Sequence, residues 1–315
     1  MKMNNNKIII VAGGAGFIGS NLCRRLLKDG NKVICIDNLS SGLESNIRDL
    51  YINSDFLFIE HDIIEPFSRN IDCDEIYNFA CPASPKFYQK DCLNTLFTNM
   101  YGMKNLLDLA TRNNAVILQA STSEIYGDAK IHPQKESYFG NVNPNGVRSC
   151  YDEGKRVAET LCLSYQKEKG TKIKIIRIFN TYGPYMRIDD GRVISTFISQ
   201  AIKGESLSIY GKGKQTRSFC YIEDLLDGID KIMKSEEVGP INLGNPEEIS
   251  IKKLAKLIIK LTHSSSKFKY CELPADDPIR RKPDITKANR ELKWKPKVGI
   301  EDGVKKYIDF ILNNL

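Results

Sequence analysis

Up to about residue 180, short β-branched runs alternate with longer stretches whose apolar residues recur at helical spacing. KIIIVA (7–12), KVICID (32–37), FLFIE (56–60), EIYNFA (75–80), VILQAS (116–121) and KIKIIRI (172–178) read as buried parallel strands, because nearly continuous apolar runs suit strands covered on both faces. Between them, 17–28, 95–113 and 152–169 read as amphipathic helices. That order predicts right-handed βαβ units and an α/β fold with a doubly wound parallel sheet. Beyond residue 180 the rhythm breaks. Helices are expected at 193–203, 223–235, 250–262 and 300–313, separated by Gly- and Pro-rich turns, which predicts a smaller α/β C-terminal part. The expected division is 1–178 and 179–315, with part of 216–237 returning to the first unit.

Composition narrows the class. A chain of 315 residues with 41% hydrophobic and 27% charged residues has the make-up of a folded globular protein of about two domains, which excludes disorder, collagen and coiled-coil arrays. The formal charge of +7 is spread along the chain with no clustered basic patch, so it argues against nucleic acid and suits a phosphorylated or acidic small ligand. Nine cysteines form no C-x-x-C pair, and His61, His132 and His263 have no ligand spacing; neither a disulfide framework nor a metal site is expected. The start, MKMNNNKIII, lacks a small-residue cleavage site, and no run approaches the roughly 18 apolar residues of a membrane span. A reduced, cytoplasmic protein without a membrane partner is the expectation.

Gly13, Gly16 and Gly19, in VAGGAGFIGSN, lie between the first strand and the first helix. A tight turn there can require glycine for geometry alone. Asp37, at the end of the second strand and about 20 residues on, adds an acceptor for a ribose hydroxyl and repels a 2′-phosphate, which points to NAD rather than NADP. A Tyr-x-x-x-Lys pair on a helix sets a phenol and an ammonium one turn apart, where the cation and the nicotinamide charge are expected to lower the phenol's pKa. The spacing occurs at Tyr151/Lys155, Tyr165/Lys169 and Tyr210/Lys214. Tyr210 lies in the glycine-rich YGKGK, and Tyr165 sits where its helix should run out into solvent. Tyr151 opens the helix that follows the strand ending in ASTSEIYG, so Tyr151 and Lys155 are the expected pair.

With GGAGFIGSN, STSEIYG and YDEGK in this order, the chain resembles the extended short-chain dehydrogenase/reductases that act on nucleotide sugars. The runs HDIIEPF, ACPASP, HPQ, NPNGVRSCYDEGKRVAET, RIFNTYGP, DGRVIS, YGKGKQTRSFCYIEDL, NLGNPEE and DDPIRRKPDI look like the UDP-glucuronate decarboxylases in particular. Thr122, Ser123 and Glu124 discriminate among relatives. Related 4,6-dehydratases carry an aspartate acid where Ser123 stands, and 4-epimerases usually have no carboxylate at Glu124, so this trio implies chemistry beyond C4.

The resemblance implies a Rossmann-like NAD-binding first domain and a mainly UDP-sugar-binding second one. It assigns to NAD the turn Gly13, Gly16, Phe17, Ile18 and Gly19, then Asp37 and Asn38, Ser41 and Gly42, Asp62 and Ile63, Ala80, Thr98, Tyr151 and Lys155. To the UDP-glucuronate side it assigns Pro82, Ala83, Tyr88, Asn180, Arg192, Tyr210, Gln215, Arg217 and Arg281. The implied reaction has Tyr151 take the 4-hydroxyl proton as hydride leaves C4, with Thr122 or Ser123 hydrogen-bonding the oxygen. The resulting ketone lies β to the C5 carboxylate, which lets carbon dioxide depart. Glu124 is then expected to handle the C5 proton or the ring, and Arg281 to position the sugar. One departure stands out: Phe97 falls where relatives usually carry a ligand-contacting lysine, which bears on the sugar accepted. Relatives pair through helices matching 95–113 and 152–169, so a homodimer is implied. Trp294 is expected to pack the C-terminal helix. Epimerisation, 4,6-dehydration, release of the 4-keto product and a non-catalytic NAD sensor are the alternatives.

Overall fold

The computed structural model describes residues 6–67, 71–272 and 280–314. Six predicted strands form at β1 (Ile8–Ala12), β2 (Lys32–Asp37), β3 (Phe56–Glu60), β4 (Glu75–Asn78), β5 (Val116–Thr122) and β6 (Lys172–Ile178). They lie parallel in one sheet whose order is Ile241–Leu243, β6, β5, β4, β1, β2, β3. The seventh strand, Ile241–Leu243, joins the free edge of β6 in parallel register, Ile241 opposite Ile176. Three apolar-rich residues between Pro240 and Gly244 are too short to carry a strand period, and the sequence reading omits them. Strand order reverses between β1 and β4, and the crevice above their carboxyl ends is where a doubly wound sheet receives a ligand.

Alternate residues of each strand supply two cores. Ile9, Val11, Val33 and Cys35 face α1 (Phe17–Lys28), whereas Ile10, Ala12, Ile36 and Ile117 face the opposite layer. That second layer holds the short helix α2 (Pro85–Tyr88), α3 (Cys92–Phe97), α4 (Met103–Asn113) and α5 (Ser149–Lys169). The helix expected as one piece over 95–113 is therefore divided. It starts earlier, where Asp91 caps α3 by accepting from Asn94 N at 3.0 Å, and Thr98–Gly102 forms a wide π turn before α4. The turn sets Thr98 and Asn99 inward, with Asn99 Nδ2 donating to Cys81 Sγ at 3.0 Å. Helix α5 begins three residues before the expected 152, which places Tyr151 inside its first turn.

The C-terminal half supplies α6 (Val193–Ile202), α7 (Ile222–Met233), α8 (Ile251–Thr262), α9 (Thr286–Leu292) and α10 (Ile300–Leu312). Leu225, Ile229 and Ile232 of α7 share the α1 core, and Arg25 bonds Asp227 at 2.7 Å. Trp294 packs against α7, its indole donating to Asp224 O at 2.9 Å beside Gly228, in the core that also holds Val304, Tyr307 and Ile308 of α10. The short strands Thr216–Ser218, Glu248–Ser250 and Arg280–Arg281 form a small sheet of their own, which brings Arg217 and Arg281 to the crevice.

Candidate active site

A cavity of about 730 Å³ opens between the carboxyl edge of the sheet and the C-terminal layer. At one end the β1–α1 turn forms its floor. Gly13 has φ +76, and a Cβ there would fall 2.6 Å from the Phe79 carbonyl carbon; one on Gly19 would fall 2.1 Å from Gly13 O. Only bare backbone packs this closely, and it leaves α1 with Gly16 as its N-cap, no side-chain cap and no acid in its first turn. Helix N–H groups and their dipole then face the cavity, which fits a pyrophosphate. Asp37 ends β2, buried, accepting from Ala15 N at 3.0 Å and Leu39 N at 2.9 Å. Burial pushes its carboxyl up against those hydrogen bonds. Asn38 donates to Asp62 at 2.8 Å, beside Ser41, Gly42 and Ile63. Turn, acceptor and the neighbouring Ala80 and Thr98 fit a dinucleotide in a single trough.

At the other end stand the groups suited to proton transfer. Thr122 closes β5, and the following turn, Ser123–Tyr126, carries Glu124 into the cavity. The Tyr151 phenol hydrogen-bonds Thr122, and burial, with Cys81 adding to it, raises its pKa. Lys155 is itself buried, its pKa depressed by desolvation, and its ammonium donates to Ala120 O at 3.0 Å, 5.8 Å from the Tyr151 ring centre. Burial pushes the Glu124 carboxyl up, but Arg281, Arg148 and Arg217 outweigh it and hold the group below the usual range. Oε2 alone accepts from Arg148 Nη2 at 2.5 Å and Arg281 Nη2 at 3.2 Å, while Arg281 Nη1 reaches Ser123 O at 2.5 Å. The site thus keeps a carboxylate between two guanidinium groups.

Pro82, Ala83, Asn180, Arg192, Tyr210, Gln215, Arg217 and Arg281 line the same cavity. Arg192 is paired with Asp190, and Gln215 Nε2 donates to Tyr210 O at 2.8 Å. One expected ligand contact, and the position of the departure, lie outside the cavity lining. Tyr88 is buried behind the wall, its ring stacked on Tyr151 at 4.9 Å between centres, because α2 turns it toward the α5 core. Phe97 is exposed, meets Tyr101 at 5.4 Å and is not among the residues that line the cavity. The rival Tyr-x-x-x-Lys pairs are either engaged elsewhere or not on a helix. Tyr165 and Lys169 both bond Asp108, and Tyr210 ends a strand, exposed. At a further such spacing, Tyr126 and Lys130, the phenol donates to Asn242 at 2.8 Å. DDPI of the run DDPIRRKPDI lies outside the described residues.

Sequence reasoning passed over Arg148, Asp152 and Asp190. All three sit inside or beside quoted runs, but their partners are distant along the chain, and only the fold brings Arg148 to Glu124.

The sequence model described as GDP-mannose 4,6 dehydratase matches residues 10–307. UDP-glucuronic acid decarboxylase 5 of Arabidopsis thaliana is 51% identical over 301 residues, 95% of this chain and 88% of that one. UDP-glucuronic acid decarboxylase 1 of Xenopus tropicalis is 47% identical over 311 residues, 99% of this chain and 73% of its own. Among solved structures, the UDP-glucuronic acid 4-epimerase of Bacillus cereus, in complex with UDP-glucuronic acid and NAD, superposes with a TM-score of 0.86 at 30% identity, covering 98% of this chain and 100% of that one. With about half its residues shared with them over nearly its whole length, the chain belongs to the UDP-glucuronic acid decarboxylases of the extended short-chain dehydrogenase/reductase family.

Proposed function

We propose that this protein converts UDP-glucuronate to UDP-xylose and carbon dioxide with NAD as a retained cofactor. The observation that carries the reading is the Glu124 carboxylate, fixed by Arg148 and Arg281 at the end of the cavity that holds Tyr151. NAD, when bound along the glycine turn and Asp37, supplies a hydride acceptor at C4 of the sugar and later gives the hydride back. Tyr151 accepts the 4-hydroxyl proton, oriented by Thr122, and returns it at the end. The raised phenol suits the return step; its forward step draws on the buried Lys155 ammonium and on the positive charge of the oxidised cofactor. Thr122 and Ser123 hold the C4 oxygen as electrons from the departing carboxylate reach it, which lowers the barrier to losing carbon dioxide. Ser123 stands where a dehydratase needs its acid, so the C6 carbon leaves as carbon dioxide rather than water being eliminated.

In this reading Arg217, Arg192 and Arg281 serve the diphosphate and carboxylate, and Pro82, Ala83, Asn180, Tyr210 and Gln215 flank the nucleotide sugar. Residues 1–178 then hold most of the cofactor contacts and 179–315 most of the substrate contacts. We also infer a homodimer in the cytoplasm: Leu93, Phe97, Tyr101 and Leu163 are exposed on adjoining helices, an apolar face that a second copy would cover.

The similarity to a UDP-glucuronic acid 4-epimerase of the same fold supports the one competing reaction. Incubation with UDP-glucuronate and NAD+ decides between them. Carbon dioxide and UDP-xylose without accumulating NADH are expected; UDP-galacturonate without carbon dioxide would transfer the chain to epimerisation, and a 4-keto pentose with stoichiometric NADH would mean early release of the intermediate.

A further inference from the structure

Decarboxylation consumes a proton. The bond from C5 to the carboxylate breaks, carbon dioxide leaves, the electron pair passes through C5 to the C4 oxygen, and C5 then takes up H+ to form a C–H bond. The balance is R–COO⁻ plus H⁺ giving R–H plus CO₂, with no net oxidation. A group near the sugar must therefore hold a proton at neutral pH and be refilled from solvent. Glu124 is badly placed to be that store, since both guanidinium groups donate to its Oε2 and keep it ionised.

Asp152, one residue beyond Tyr151 in the first turn of α5, feels the charges of Glu124, Arg148 and Arg281. It is buried, and among the described residues its Oδ1 has no hydrogen-bond partner. The hydroxyl of Tyr88, the ring that backs Tyr151, is likewise buried and unpartnered. An ionised carboxylate left without a partner in this setting costs more than a neutral carboxyl. The groups that face Asp152 are Glu124 from the turn after β5, Arg281 from Arg280–Arg281, Arg148 and Glu153 from its own helix end, and Tyr88 from α2. Helix α3, packed on the same turn, brings the Cys92 thiol to Cys150. One turn further along α5, Lys155 and Glu159 face β5 and β6.

We propose that Asp152 is a positioning residue for the protonation step, holding beside Glu124 the proton that C5 receives. The proton passes from the Asp152 carboxyl to Glu124 and from there to C5, and water reprotonates Asp152. Burial and the Glu124 charge raise the Asp152 carboxyl to about 7, against the pull of Arg148 and Arg281, so it is loaded and unloaded within the working range. The inference rests on the decarboxylase reading above.

The test is the pH dependence of kcat for carbon dioxide release from UDP-glucuronate in the NAD-loaded protein, comparing wild type with Asp152→Asn and Asp152→Glu. Wild type should lose rate above about pH 7, and Asp152→Asn should lower kcat at least tenfold, keep KM within twofold and lose that alkaline limb. Asp152→Glu, which restores a carboxyl, should recover both rate and limb. An Asp152→Asn protein with wild-type kcat and an unchanged limb overturns the inference and leaves the reaction standing. So does an Asp152→Glu protein that melts like wild type yet stays as slow as Asp152→Asn. Absence of carbon dioxide from wild type overturns the decarboxylase reading and this inference with it.

Discussion

At the scale of single residues the site is defined by which charges are kept and which are suppressed. Tyr151 is a phenol held neutral by burial, with Thr122 bonded to its oxygen. Tyr151→Phe keeps the ring stacked on Tyr88 and removes the proton carrier. Turnover should fall about 10³-fold while UDP-sugar affinity, read by calorimetry, stays within about threefold. Asp152 and Glu124 titrate in opposite senses. Glu124 is held low by its arginines, so the stability it lends is present at neutral pH and is lost only in acid. The Asp152 value in the fold lies above that of a free aspartate, so its contribution is present in acid and disappears as the pH rises through about 7. The melting temperature of Asp152→Asn relative to wild type should therefore rise steadily between about pH 4 and about pH 7 and level off above that; a difference that does not grow with pH would contradict the buried-carboxyl assignment.

Elements were legible where one local cause sufficed. Strands β1 to β6 are runs of β-branched residues bounded by turns, and α1 and α7 keep an unbroken apolar stripe, so periodicity marks them closely. The π turn at Thr98–Gly102 is different: TNMYG contains no proline or other local signal for it, and in the fold it accompanies the burial of Thr98 and Asn99. Ile241–Leu243 is a strand only because β6 offers an open edge. In the site, Gly13, Gly19 and Asp37 could be read because strand, turn, helix and acid follow one another in the chain. Arg148, the inward-turned Tyr88 and the outward-turned Phe97 could not, since each is decided by packing among α2, α3 and α5. The glycine turn also yields a test at this scale. Gly19→Ala sets a methyl 2.1 Å from Gly13 O and must open the β1–α1 turn. A loss of about 1–3 kcal/mol in stability, with NAD+ affinity falling by more than tenfold, is expected in denaturant titration and calorimetry.

For the whole molecule, the arrangement of exposed apolar side chains matters more than net charge. Leu93 and Leu163 are 67% and 47% exposed on α3 and α5, and α5 carries Tyr151 and Asp152 on its buried side. If a second copy covers this face, Leu93→Asp combined with Leu163→Asp should shift sedimentation from dimer to monomer. A wild-type protein that sediments as a monomer at micromolar concentration would remove the homodimer from the proposal. No helix among the described residues is long and apolar enough to cross a membrane.

The pairing of Ile241–Leu243 with β6 has a bearing on how the protein is made. Synthesis reaches Ile178 with six strands available and the β6 edge bare, and the chain that covers it is not translated until residue 243. In that interval the nascent sheet offers a row of unpaired N–H and C=O groups, the kind of edge on which neighbouring chains stick together. Cutting the gene after residue 178 would make that interval permanent, so such a fragment should emerge as inclusion bodies, and supplying the remainder as a separate polypeptide during refolding should return it to solution.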